Sequence, residues 1–427
     1  MHGFAVLAVL CITAVLCIMP AAAEEHTHSA EDGWTELTAK VIAEQNYALS
    51  SGTYYLSDDF ELKKTLLVTH GQVTICLNGH KLSLNSDIGS TIQITSGATL
   101  IIDDCKDCGK ITGSMKNRTH QMDRSGGVIY LNSGSLILEN GKICEGKAVD
   151  GGGVFVSKGS TFEMNGGSIE YCKASGCGGS IYNEGTVIIN SGKLCNDDLS
   201  DEKCADKGGA IYNAGALTLN GGEISVYKAN VGGGIYNTNN PGTSLTINGG
   251  LIKKCKKYGL YTEGTVTMTG GCIEDDVFSS GIGITLSGNS VIIGEITLQK
   301  GSKLETAAGW VENAREKYVF DGWYYVIKGD LYPYASSGDN KAWHFTTKED
   351  YETIQAKWKE APSATPVKTV TPTETAAVLP TETPVAAPVQ TELPTEIPTQ
   401  TQAPASPIPL AGILTGCAAA LFACRRT

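Results

Sequence analysis

Positive charge is scarce in this chain. The formal charge is −12, and only two arginines, Arg118 and Arg124, fall between residues 50 and 300. That balance weighs against nucleic acid and anionic membrane surfaces as partners. Proline is confined: 11 of the 14 lie between residues 362 and 409. The 51 glycines show no Gly-X-Y period, so a collagen helix is excluded. No window carries a capped amphipathic helical period, which removes the helical repeat architectures of similar length. What is left is a turn-rich, strand-rich chain.

Against those absences stands a repeat. Residues 208–224 read GGAIYNAGALTLNGGEI, and 178–194 read GGSIYNEGTVIINSGKL. Aligned on the residue after the aliphatic position, the copies place Tyr130, Phe155, Tyr182, Tyr212, Tyr236 and Tyr261 in register, at spacings of 25, 27, 30, 24 and 25. A second marker keeps step after each Gly corner: Ile143, Ile169, Leu194, Ile224, Ile252 and Ile273. Two registers in step over six copies indicate one supersecondary unit per repeat. Short β-rich runs such as Leu217-Thr218-Leu219, bounded by Gly and Asn, make each unit one coil of a parallel β-helix. Weaker coils precede them from residue 73, and residues 281–298 supply the last one or two.

Alternation fixes the faces, because residues i and i+2 of a strand share one side. In Ile129-Tyr130-Leu131 and Val154-Phe155-Val156 the outer pair is aliphatic, so that pair faces inward and the aromatic residue faces out. The same phase sends Asn183, Asn213 and Asn237 inward, where their amides can bond from coil to coil at the ~4.8 Å strand spacing. A second column, Asn140, Asn165, Asn190, Asn220 and Asn248, precedes the Gly corner and reads as turn-forming. Both columns are expected to be structural. The aromatic column is expected either to cover the sheet or to present rings to sugars.

The series CLNGHKLSL, GATLIIDDC, GKITG and GGxIYN…LTLNGG resembles the right-handed β-helix, pectate-lyase-like surface proteins of anaerobic bacteria and archaea, often called adhesin-like. The resemblance covers roughly residues 50–300 and implies adhesion or surface interaction; the alternative it carries is a polysaccharide lyase or glycoside hydrolase. The Gly-His-Gly and Arg-x-Lys signatures of polygalacturonases are absent. Tyr318-Val319-Phe320-Asp321-Gly322-Trp323-Tyr324 with Ala356-Lys357-Trp358 looks like one Listeria–Bacteroides repeat, although Ile354-Gln355 replace its usual Leu-Tyr.

Catalysis on glycans needs converging carboxylates. The pairs Asp58-Asp59, Asp103-Asp104, Asp197-Asp198 and Asp275-Asp276 fall in different coils without a repeated phase, and no catalytic residue is expected. The best remaining cluster, Arg118, His120 and Arg124, reads as an inserted loop. Ten cysteines lie between the apolar ends, an even number that suggests disulfides in a secreted chain. Cys195 with Cys204, which bracket the insertion in the longest copy, and Cys172 with Cys177 are the expected bridges. Cys105-x-x-Cys108 has no second pair at matching spacing, and His26-Thr27-His28 could hold a metal only weakly, so neither metal nor cofactor is expected.

The ends differ from the body. Residues 1–23 read as a signal peptide, with an apolar run over 4–19 and a small-residue cleavage site at Ala21-Ala22-Ala23. A lead-in at 24–50, the β-helix at 51–300 and a β module at 310–360 follow. Residues 361–409 form a Pro/Thr stalk that could extend on the order of 100 Å at ~3.1 Å per residue. Residues 410–427 are an apolar run closed by Arg425-Arg426; as a helix, 410–424 would span only ~23 Å of a ~30 Å hydrocarbon core. That layout resembles the sorting tails of bacterial and archaeal surface proteins, without Leu-Pro-x-Thr-Gly. The expected protein is secreted and held at the cell surface by this membrane-directed tail. Its expected partner is an extracellular glycan or a host or neighbouring cell surface. Asn117 carries the one glycosylation sequon between signal and tail.

Overall fold

The apolar/polar alternation of each repeat becomes three short strands, and each strand pairs in parallel with its counterpart one repeat later. The computed structural model describes residues 27–86, 88–113, 126–196, 203–307, 310, 318–327, 330–336, 344–346 and 351–360. The residues read as signal, stalk and tail, the stretch 114–125 with Asn117, and Asp197-Asp198 lie outside the described residues. Strands stack into sheets of 13, 14 and 10 members, and the chain is an all-β, right-handed parallel β-helix. One coil runs through Ile181–Asn183, Thr186–Ile189 and Lys193–Cys195, one strand in each sheet.

The register is the one the triplets demand. Ile181-Tyr182-Asn183 pairs residue for residue with Val154-Phe155-Val156 before it and Ile211-Tyr212-Asn213 after it. Ile129, Val154, Ile181, Ile211, Ile235 and Leu260 are all fully buried, as are Asn183, Asn213 and Asn237. The inner asparagines form a ladder. Asn183 Nδ2 donates to Asn213 Oδ1 at 2.8 Å, Asn213 to Asn237 at 2.8 Å, and Asn237 to Thr262 Oγ1 at 3.0 Å. Asn213 gives its other amide proton to the Ser244 carbonyl and accepts from the Gly215 N–H, so the buried amide is fully satisfied. The outer column bonds in the opposite direction. Asn248 donates to Asn220, Asn220 to Asn190 and Asn190 to Asn165, at 2.8–2.9 Å. Asn165 and Asn140 reach back to Glu139 and Asp103.

Coils meet most closely at the glycine corner before the aromatic strand. A Cβ on Gly179 would sit 2.2 Å from the Gly209 carbonyl oxygen, and one on Gly209 would sit 2.4 Å from that of Gly233. No side chain fits there.

The stack reaches further in both directions than residues 51–300. Trp34–Glu36 already pairs in parallel with Gly52–Tyr55, and Lys303–Thr306 still pairs with the preceding coil. A six-residue helix, Ala39–Glu44, capped by Thr38 Oγ1 on the Val41 N–H, drives Ile42 into the core at the N-terminal end. It is too short for a periodicity to show in the sequence. At the other end Tyr351–Glu360 and His344–Thr346 join two of the sheets in antiparallel sense. Tyr318–Ile327 and Asp330–Ser336 extend the first of these. Trp323 is buried there, stacked on Trp310 at 5.7 Å and edge-on to Phe345 at 5.0 Å.

The two ladders differ in burial, and that sets the cost of breaking them. Asn213→Ala strands a buried donor on Asn183 and a buried acceptor on Asn237, which should cost about 2–4 kcal/mol. Asn220 is exposed, so in Asn220→Ala water takes the vacated bonds and the cost should be about 1 kcal/mol or less. Urea unfolding of both variants checks this; equal shifts in midpoint would refute it.

Candidate functional site: the aromatic column

The side chain at the centre of each triplet emerges on the outer face of the 14-stranded sheet. Backbone pairing sets Tyr130, Phe155, Tyr182, Tyr212, Tyr236 and Tyr261 in one line and adds Phe278 to it. Phe278 was missed in the sequence because its coil is short. Its triplet, Val277-Phe278-Ser279, nevertheless carries the same aliphatic–aromatic–small pattern.

The rings stack on one another. From Phe155 through Phe278 the centroids are 4.7–5.4 Å apart and the planes lie within 15° of parallel. Tyr130 meets Phe155 edge-on at 76°. Ring faces inside the column are therefore occupied by neighbouring rings, and what remains at the surface is edges and hydroxyls. The column is also less open than its outward phase suggests: Phe155 is 8% exposed and Tyr236 is 2% exposed. Lys207, from the small strand Ala205–Lys207, lies over the Tyr236 ring at 4.7 Å and donates to its hydroxyl at 3.2 Å.

Carboxylates and amides line the hydroxyl edge. Tyr130 donates to Asn132 and Tyr182 to Glu184 at 3.3 Å; Tyr236 donates to Glu263. Tyr261 accepts from Ser280 at 3.4 Å. Beyond Tyr261 the ridge opens into a shallow groove lined by Asn239, Glu263, Ser280, Gln299 and Lys303. Burial, then the carboxylates beside them, push Tyr182 and Tyr236 well up, and burial foremost pushes Tyr212 up to about 12.

No family model, curated protein or solved structure matches this chain. What the surface can do follows from its geometry.

Acid–base chemistry on a glycan needs two free carboxylates across a bond. The described aspartate pairs are instead used as backbone caps. Asp104 accepts the Gly79 and Gly109 N–H groups, Asp59 that of Lys81, and Asp276 that of Glu295. Asp275 is raised to about 6 by burial, but its carboxylate accepts the Cys255 N–H at 2.8 Å.

The cysteines correct the expected disulfides: all ten described cysteines are thiols. Cys195 pairs with Glu170 and Ser225, one residue out of phase with inward Leu194, whereas Cys204 belongs to the hydrophobic core. Cys172 is likewise fully buried in the core, while Cys177 is half-buried at a corner with its N–H on Asp150. Burial raises Cys144 to about 12 and Cys177 to about 11, so neither is a ready nucleophile.

The raised phenols predict an alkaline limit. Tyr212 favours its neutral form in the fold, so its contribution is complete below the ordinary tyrosine value near 10 and is lost as pH rises toward about 12. Tyr212→Phe keeps the stack and removes the ionisation. Its urea midpoint should fall less than the parent's between pH 10 and 12; parallel falls would refute the assignment.

Proposed function

We propose that this face of the shaft is a non-catalytic binding surface for extracellular glycan, carried by an adhesin-like protein at the cell surface. The supporting observation is the run of four consecutive phenols, Tyr182, Tyr212, Tyr236 and Tyr261, bordered by Glu184, Lys207 and Glu263 and ending in the polar groove beyond Tyr261. A long, straight row of donors and acceptors matches a polymer of hydroxyl groups better than a compact ligand. Because the ring faces are used within the column, contact is through ring edges, hydroxyls and flanking charges; stacking of sugars on faces is confined to the ends. The secretion signal, Pro/Thr stalk and apolar tail read from the sequence fit display outside the cell, and the Listeria–Bacteroides-like module fits the same setting.

The alternative, a polysaccharide lyase or hydrolase, lacks support in the capped carboxylates. A glycan array and a polysaccharide-cleavage assay on the purified full chain separate the two. Binding without cleavage is expected. The double variant Tyr182→Ser/Tyr212→Ser should lose binding at least about tenfold, corresponding to about 1.4 kcal/mol. Tyr182→Phe/Tyr212→Phe preserves the stack and isolates the hydroxyls. Unchanged binding by a folded double-serine variant would sink the proposal, and release of shortened chains would favour the enzyme.

A further inference from the structure

The N-terminal lead-in brings together three metal-ligand side chains that lie far apart in sequence. Cys76 ends the strand Gln72–Cys76, directly after inward Ile75, and so emerges on the outer face of its sheet. It is nevertheless 0% exposed. Cys105 follows two residues after Asp103, the residue paired with Cys76 in the next coil, and is itself buried. His28 completes the group: its ring nitrogen and the two sulfurs all lie within 4.8 Å of one another. The imidazole is clamped, stacked on Tyr55 at 4.7 Å and edge-on to Trp34 at 4.8 Å, and its Nε2 is shielded from solvent. Tyr55 is the register partner of Cys76 in the preceding coil, so the ring that orients His28 belongs to the same stack as the thiol.

We propose that His28, Cys76 and Cys105 bind a d10 cation, Zn²⁺ foremost, and that the ion fastens the lead-in to the first coils. The donor set is what such a cation takes: two thiolates and an imidazole. The spacing also fits. Sulfurs bound to one tetrahedral zinc at ~2.3 Å stand about 3.8 Å apart, and Cys76 Sγ lies 3.7 Å from Cys105 Sγ. A disulfide requires about 2.05 Å. The surroundings hold the ligands in place. Asn78, fixed by donating to the Leu56 carbonyl at 2.9 Å, accepts from the Cys105 thiol at 3.6 Å, a bond given up when the cation displaces that proton. Asp104 ties down the turn that carries Cys105 through the Gly79 and Gly109 N–H groups at 2.7 and 2.6 Å. Supporting bonds of this kind are what orient metal ligands. Binding is balanced by release of the two thiol protons to solvent, with no change of oxidation state. The site is remote in sequence from the aromatic column and does not depend on the glycan reading.

The test uses the purified full chain, reduced, equilibrated with Zn²⁺ alone and dialysed, with metal content measured per chain. One equivalent is expected. Cys76→Ser and Cys105→Ser should each lower it by at least about tenfold, whereas Cys177→Ser, away from the site, should leave it unchanged. Co²⁺ in place of zinc should give intense thiolate-to-metal absorption that both serine variants lose; His28→Ala should weaken affinity while retaining that absorption. Chelation should also lower the thermal midpoint. No metal on the folded parent, equal binding by the serine variants, or recovery of Cys76 and Cys105 as a disulfide from chain purified without reductant would overturn the proposal.

Discussion

Everything in this shaft depends on coils approaching to backbone contact at one corner. Gly152, Gly179, Gly209 and Gly233 each pack against a carbonyl of the next coil, at distances where a Cβ would collide. Just before that corner, Gly178, Gly208 and Gly232 take φ of +68°, +64° and +64°, which redirects the chain into the aromatic strand. With the corner closed, the following triplet has no freedom of register. The Gly pair therefore does more than permit a turn: it fixes the position from which the aliphatic, aromatic and amide columns are counted. A side chain there would separate the coils and loosen all three columns at once.

Given that register, the contents of each column follow from what identical neighbours can do for one another at strand spacing. An asparagine above an asparagine can donate in one direction and accept from the other, so a buried amide costs nothing as long as the chain of bonds is unbroken. The inner ladder begins where Val156 gives way to Asn183 and ends where Thr262 turns its hydroxyl to the Gly264 carbonyl. A tyrosine above a tyrosine offset-stacks, and the same repetition that builds the ridge uses up its ring faces. The ridge is thus specialised for contacts through its rim of hydroxyls and charges.

Much of this was legible in the sequence because repetition converts phase into three-dimensional position. Six triplets sufficed to put Ile211 and Asn213 inside and Tyr212 outside, and the pairing agrees at each position. Ring orientation was not legible: alternation specifies the side of the sheet, while the torsion that lays one ring on the next depends on the spacing of both neighbours. The cysteines illustrate the same limit. Spacing along the chain suggested Cys195 with Cys204, yet both are thiols. No spacing rule links His28, Cys76 and Cys105, because they meet through the stacking of different coils and through a lead-in whose course the repeat does not encode.

A repeat that pairs so well with itself has to be stopped, since an open parallel edge is a template for another strand. At the N-terminal end the edge strands are short: Trp34–Glu36, Ala48–Leu49 and Phe60–Leu62 have three, two and three residues. There the helix also plugs the core with Ile42. At the C-terminal end the direction of pairing changes. Tyr351–Glu360 runs antiparallel to Ile296–Gln299, so the hydrogen-bond pattern a further coil would need is replaced by another. The sheet then ends on Asp330–Ser336, which carries Pro333. Proline has no N–H to offer a further strand, and an edge is where a strand tolerates it. The strands that interrupt the repeat therefore also change the pairing at the C-terminal edges of the 13- and 14-stranded sheets.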